Sequence, residues 1–223
     1  MKILVTGSSR GIGKAVALKY LELGHEVYGL DERLASIFHV NYHHYQVDIS
    51  KKEDLPEIKN IEIIFNNAGK QNSEDDISNN LIGSINVTEK YGFNNPDIKS
   101  ILFNASASAI TGQEFPNYVA SKAGLLGYMK NVAIRLASQQ VTVNALSLGG
   151  VLTESNNAVI EDKELFNKIM EVTPFKKWMS EEEVVDFVIF LTLTNKSMSG
   201  QNILVDNGEK DLNSTFVWPE YKL

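Results

Sequence analysis

The chain has 223 residues, 43% hydrophobic and 22% charged, with a formal net charge of −7 and a sequence pI near 5.2. This is globular composition, and the acidic balance argues against an electrostatic grip on nucleic acid or an anionic membrane surface. Cysteine is absent, which excludes a disulfide framework, a thiolate zinc site and a cysteine nucleophile and agrees with a cytoplasmic location. No apolar run reaches transmembrane length, and the apolar part of Met-Lys-Ile-Leu-Val-Thr-Gly is too short for a secretory signal.

Short runs rich in β-branched residues alternate with helical patterns from end to end. Strands are expected at residues 2–5, 26–30, 42–47, 61–65, 100–105, 141–145 and 203–205. Helices are expected at 13–23, 76–93, 116–138, 161–170 and 181–193. Such alternation predicts a three-layer, doubly wound α/β fold with a parallel sheet of about seven strands. The whole chain, 1–223, reads as one unit with a short lid at 153–178. Ligands on such sheets bind beyond the carboxyl ends of the strands, so the residues just after each strand are the candidates for chemistry.

After the first strand stands Thr6-Gly7-Ser8-Ser9-Arg10-Gly11-Ile12-Gly13, leading into a helix. Glycines there let the backbone turn tightly and approach a pyrophosphate, and the helix start offers free N–H groups and a positive dipole end. A dinucleotide-binding loop is expected, with Gly7, Ser9, Arg10, Gly11, Ile12 and Gly13 at the ligand; a glycine-rich turn without a ligand is the plainer alternative. Asp31 follows the second strand, where a carboxylate can accept both adenosine ribose hydroxyls and repel a 2′-phosphate. Asp31, with Glu32 beside it, favours NAD; Arg10 points toward NADP, since a guanidinium beside the loop can hold that phosphate.

Tyr118 and Lys122 stand four residues apart at the start of the long helix and share a face. A free tyrosine titrates near ~10. A cation one turn away favours the phenolate and lowers that value, which suits the residue to exchanging a proton with a carbonyl oxygen or hydroxyl. On their own the two residues read rather as an ordinary surface pair, since Tyr and Lys often meet at this spacing. Ser106 ends the fifth strand on the ligand rim and can hydrogen-bond a substrate oxygen beside Tyr118, with Ser108 as its rival.

Together these motifs resemble the short-chain dehydrogenase/reductase family, in its single-domain branch with the Rossmann fold. The resemblance spans nearly the whole chain and rests on the glycine loop, Asp48-Ile49, Asn66-Asn67-Ala68-Gly69, Asn80-Leu81, Ser106, Tyr118-Val-Ala-Ser-Lys122 and Leu148-Gly149-Gly150-Val151-Leu152-Thr153. It implies hydride transfer between NAD or NADP and a small alcohol or carbonyl substrate, without a metal. Tyr118 would be the acid/base, Lys122 would lower its pKa and hold the nicotinamide ribose, Ser106 would orient the substrate oxygen, and Asn80 would hold a water leading from Lys122 to solvent. Asp48 and Ile49 would flank the adenine, Asn67, Ala68, Gly69 and Gly149 would line the cofactor, and Val151 and Thr153 would fix the carboxamide. The family also commonly pairs subunits through the tyrosine-bearing helix and the helix before it, so a homodimer or homotetramer is expected.

The sequence departs from the family pattern in four places. The serine-to-tyrosine spacing of 12 is one short, Leu148 replaces a usual proline, Asp206-Asn207-Gly208 replaces Asp-Gly-Gly, and only ten residues separate Gly69 from Asn80. The first leaves Ser108 in play, the second implies a less rigid loop, and the last implies a more open cleft or one completed by a second subunit. A reductase of 3-oxoacyl thioesters is the family's common activity, yet the lid shows no charged anchor that singles it out. A cofactor-sensing regulator of the same fold without the chemistry is the alternative, and an epimerase or dehydratase of the extended branch lacks room in this chain. A metal site at His39, His43 and His44 is disfavoured, because strand alternation sends the last two to opposite faces. Phe216, Trp218 and Tyr221 in the tail 211–223 suit an intersubunit contact. Deleting 211–223 is therefore expected to change the association state in light scattering; an unchanged mass contradicts that role.

Overall fold

The seven expected strands form as β1 (Lys2–Thr6), β2 (Glu26–Asp31), β3 (Tyr42–Gln46), β4 (Ile63–Asn66), β5 (Ser100–Ser106), β6 (Thr142–Leu148) and β7 (Asn202–Val205). Between them lie α1 (Gly11–Glu22), α2 (Ser84–Tyr91), α3 (Ser108–Thr111), α4 (Pro116–Leu136), α5 (Asn157–Glu161), α6 (Lys163–Val172) and α7 (Glu181–Ile189). The computed structural model describes residues 1–210 and 212, so the aromatic tail reading lies outside the described residues. All pairings are parallel, in the order β3-β2-β1-β4-β5-β6-β7. Strand order reverses between β1 and β4, which puts the ligand crevice beyond their carboxyl ends. Among the described residues no helix is long and apolar enough to cross a membrane.

Alternation along the strands fills two apolar layers. Leu4, Ile64, Ile101 and Phe103 pack with Leu125, Met129 and Val132 of α4 on one face. Ile3, Val5, Ile63, Phe65 and Leu102 pack with Val16, Ala17 and Tyr20 of α1 and with Val184 and Val188 of α7 on the other. Helix α7 starts with a capping box, in which Ser180 Oγ accepts from Glu183 N at 3.2 Å and the Glu183 carboxylate accepts from Ser180 N at 2.9 Å.

The structure differs from the sequence reading where side chains interrupt a regular backbone. The helix expected at 76–93 opens with a π-helical turn, Ile77–Gly83, before α2. There Ser84 Oγ donates to the Asn80 carbonyl at 2.7 Å, and Gly83 passes so close to Ile49 that a Cβ would stand 2.6 Å from Ile49 Cγ1. In the lid, Asp162 accepts from Leu165 N at 3.0 Å and starts α6 there, splitting off α5. The helix expected to reach 193 ends in a second π-helical turn, Phe190–Thr194. Thr192 Oγ1 there donates to the Val188 carbonyl at 2.7 Å and also meets the buried Tyr20 hydroxyl at 2.7 Å. Leu148 is the last residue of β6, paired with Ser106 on one side and Val205 on the other. Asn207 adopts φ +56°, the conformation the Asp-Gly-Gly comparison requires.

The histidines go to separate partners. His43 Nε2 meets Glu26 Oε1 at 2.9 Å and His44 Nε2 meets the Arg33 carbonyl at 2.9 Å, and no cluster among the described residues has a metal-holding arrangement.

Replacing Ser180 by Ala removes one half of the capping box and is expected to lower the unfolding free energy by about 1 kcal/mol. Urea unfolding measures this, and an unshifted midpoint would count against the cap.

Candidate active site

The glycine loop is built by close approach. Gly7 N donates to the Leu30 carbonyl at 2.8 Å, and a Cβ on Gly13 would lie 2.0 Å from the Gly7 carbonyl oxygen, so no larger residue fits where α1 meets the strand. The first turn of α1 has no side-chain cap and no acidic residue, leaving its N–H groups to a ligand. Ser9 Oγ is buried without a hydrogen-bond partner among the described residues. An uncapped helix start, a cradle with no room for a Cβ and an orphaned buried hydroxyl fit a dinucleotide pyrophosphate.

Asp31 lies at the loop as expected, but its carboxylate is already engaged. Oδ2 accepts from Ser9 N and Oδ1 from Arg33 N, each at 2.8 Å, so Asp31 fixes the loop and keeps one further acceptor position on each oxygen. Arg10 turns away toward the lid, with its guanidinium 3.8 Å from the Glu154 carboxylate. Asp48 stands half-buried at the end of β3. Burial pushes its carboxyl up, and hydrogen bonds from the Ser50 hydroxyl and amide outweigh that, holding it below its ordinary range. Ile49 is less available than expected: its side chain is buried against Gly83, and its carbonyl accepts from Asn86 Nδ2 at 3.1 Å.

A polar chain runs from the loop to the tyrosine helix. Thr6 Oγ1 accepts from Asn67 N and Ala68 N, both at 2.9 Å. Asn67 Nδ2 donates to the Thr6 carbonyl at 3.1 Å and to the Gly7 carbonyl at 3.3 Å, while its Oδ1 accepts from Asn104 Nδ2 at 2.9 Å. Lys122 Nζ donates to the Asn104 carbonyl at 2.7 Å. Gly69 lies against Asn80 and Lys122, its Cβ position 3.3 Å from Asn80 Oδ1 and 3.5 Å from Lys122 Nζ. The Asn80 side chain is engaged through both its atoms, accepting from Lys70 N at 2.7 Å and donating to the Lys70 carbonyl at 2.9 Å and to Ser121 Oγ at 3.0 Å. Gly124 makes this possible, since a Cβ there would strike Leu81 at 2.7 Å and push the π-helical turn off α4.

Tyr118 is half-buried beside Ser106, whose hydroxyl is the neighbour that favours its phenolate. Ser108 Oγ donates to Ser106 Oγ at 2.8 Å, so Ser108 lies behind Ser106. The electrostatics differ from the sequence expectation. Burial pushes the Tyr118 hydroxyl up to about 12, with Ser106 opposing and the carboxylates of Glu114 and Asp76 adding to the rise. Lys122 does not lower it, because its Nζ is drawn to the Asn104 carbonyl and sits 5.6 Å from the centre of the Tyr118 ring. Burial instead pulls Lys122 down to about 8, against Asp76 and Glu114, which hold it up.

On the far side, Gly149 lies against Asp206, and Val151 is buried and bridges Met179. Thr153, half-buried, opens the lid. Across the edge that is shortened after Gly69, Gln71 Nε2 donates to Glu114 Oε2 at 2.9 Å and so reaches the approach to α4. Glu114 is held there at φ +79°, uncommon for any residue but glycine. The sequence reading missed Thr6, Asn104, Asp76 and Glu114. A polar residue at the apolar end of a strand was the available signal for the first two.

Residues 7–210 match the family model described as enoyl-(acyl carrier protein) reductase. A 3-oxoacyl-[acyl-carrier-protein] reductase of Staphylococcus epidermidis is 29% identical, over 92% of this chain and 97% of its own length. A glucose 1-dehydrogenase of Gluconobacter oxydans is 27% identical, over 93% and 91%. Among solved structures, a 4-hydroxyisoleucine dehydrogenase complexed with NADH superposes with a TM-score of 0.87 at 23% identity, covering 95% of this chain and 99% of the other. That likeness speaks for the fold.

Thr6→Val removes the acceptor of two backbone N–H groups at the centre of the polar chain. Unfolding free energy is expected to fall by about 1–3 kcal/mol, read by chemical denaturation; a variant as stable as the parent contradicts the role given to that hydroxyl.

Proposed function

The chain belongs to the short-chain dehydrogenase/reductase family of NAD(P)-dependent oxidoreductases, and on that footing we propose that it is an NAD-preferring enzyme acting on a small alcohol or carbonyl substrate, with Tyr118 as proton donor and acceptor. The observation that carries this reading is the meeting of Tyr118, Ser106, Lys122 and Asn80 beyond the carboxyl edge of the sheet, beside the glycine loop.

Gly7, Ser9, Gly11, Ile12 and Gly13 would hold the pyrophosphate with the start of α1. Asp31 would take the adenosine ribose, and Asp48 would border the adenine together with the backbone of Ile49. Asn67, Ala68 and Gly69 would line the path to the nicotinamide half, and Gly149, Val151 and Thr153 would border its carboxamide. When bound, the dinucleotide gives or accepts hydride at the substrate carbon. The chain's own work is positioning and proton transfer. Ser106 orients the substrate oxygen, Tyr118 exchanges the proton with it, Lys122 would hold the nicotinamide ribose, and Asn80, through Ser121 and the Lys70 backbone, holds the turn beside Lys122.

With its hydroxyl near 12, Tyr118 is protonated across the neutral range and stands ready to donate to a carbonyl oxygen. Alcohol oxidation needs the phenolate, so its rate is expected to rise with pH above neutrality. Two features support NAD over NADP: Asp31 is locked against the glycine loop, and Arg10 is drawn toward Glu154 rather than held beside Asp31. Ala123, Gly127 and the 77% exposed Ile134 line the open side of α4, which suits pairing with a second copy of the chain. A cytoplasmic location remains the reading of the composition.

Tyr118→Phe is expected to lower kcat by about 10²-fold or more, while NADH affinity by fluorescence titration stays within about threefold. Retained turnover removes Tyr118 from its role. The parent enzyme is expected to show a higher kcat/KM with NADH than with NADPH, and the reverse order would defeat the cofactor preference.

A further inference from the structure

The carboxylate of Asp76 has no part in the roles above, yet it is 0% exposed. Oδ1 accepts from Ser73 N at 3.1 Å and from Ser73 Oγ at 2.9 Å, which caps the start of the π-helical turn. Oδ2 is equally buried and has no hydrogen-bond partner among the described residues. A buried carboxylate oxygen without a partner is costly unless a countercharge lies within reach.

Among the described residues, the cation on which the Asp76 charge acts is Lys122, at a separation beyond a direct ion pair. Asp76 stands four residues before Asn80 in the same turn. Asn80 Oδ1 and Lys122 Nζ both lie against Gly69, within 3.5 Å of its Cβ position. Asp76 leads the charges that favour the Lys122 ammonium, ahead of Glu114 from the approach to α4, and both carboxylates disfavour the Tyr118 phenolate. Glu209, after β7, faces Glu114 in turn. Lys70 is engaged elsewhere, 3.0 Å from Glu32 and 4.0 Å from Asp75.

We propose that Asp76 is a positioning residue of the proton-transfer site: Oδ1 fixes the turn that carries Asn80, and Oδ2 supplies the buried negative charge that holds the Lys122 ammonium. This rests on the assignment of Tyr118 and Lys122 made above. Removing the charge lets both groups lose their protons at lower pH, because the anion stabilises the protonated form of each.

Asp76→Asn separates the two functions of the side chain, since the amide oxygen still caps Ser73 while the charge is gone. The pH profile of kcat/KM for alcohol oxidation is expected to move as a whole to lower pH by about half a unit or more, with the KM for NAD within about threefold of the parent. A profile that superimposes on the parent's, whatever its height, overturns the proposal, because loss of a purely structural cap scales activity without displacing it. A second measurement needs no variant. In the unmodified, cofactor-free protein, the carbon-13 resonance of the Asp76 carboxyl is expected to move as Lys122 titrates on the alkaline side of neutrality. A flat resonance overturns the proposal. Failure of the Tyr118 assignment is read separately, as retained turnover in Tyr118→Phe.

Discussion

A buried ammonium must have an acceptor, and in this protein the Asn104 carbonyl oxygen, 2.7 Å from Lys122 Nζ, decides where that charge sits. Asn104 is held in turn by Asn67, and Asn67 by Thr6 at the end of β1. The lysine is thereby fixed to the same strand ends that shape the glycine loop. Three residues, Thr6, Asn67 and Asn104, thus link the loop to Lys122 by hydrogen bonds that do not pass along α4.

The second constraint is steric. Gly13 lets α1 touch the loop, and Gly124 lets the π-helical turn touch α4. Both contacts are closer than any side chain would permit, and both lie where a helix must deliver a functional group to the strand ends. Wide helical turns recur at functional sites. Here the wide turn carries Asn80 and Asp76 and frees enough backbone for the Asn80 amide to grip Lys70.

The architecture was legible in the sequence because a parallel sheet buried on both faces leaves strong marks: β-branched strands, helical crossovers and a glycine loop in fixed order. The positions of Ser106, Tyr118 and Lys122 were legible for the same reason, since each follows from its place at a strand end or on a helix face. What lay hidden was partnership. Nothing in the sequence says that Asp31 spends two acceptor positions on Ser9 and Arg33, that Ile49 packs against Gly83, or that Lys122 turns to a carbonyl instead of to Tyr118. Each is settled by contacts between residues distant in sequence. The perturbed acidities of Tyr118 and Lys122 likewise come first from burial, which no local motif encodes.

The bridge between Val151 and Met179 gives the lid a character of its own. Two backbone hydrogen bonds, Leu152 N to the Met179 carbonyl at 2.8 Å and Met179 N to the Gly150 carbonyl at 3.1 Å, clasp the segment at its base. The helices between them hold no strand of the main sheet. The segment is also tied beyond this clasp, with Phe175 N donating to the Asn207 carbonyl at 3.2 Å and Thr173 Oγ1 to Glu209 Oε1 at 2.9 Å. Pinned at its base and again after β7, the segment is held to the carboxyl edge of the sheet at two places instead of hanging from one.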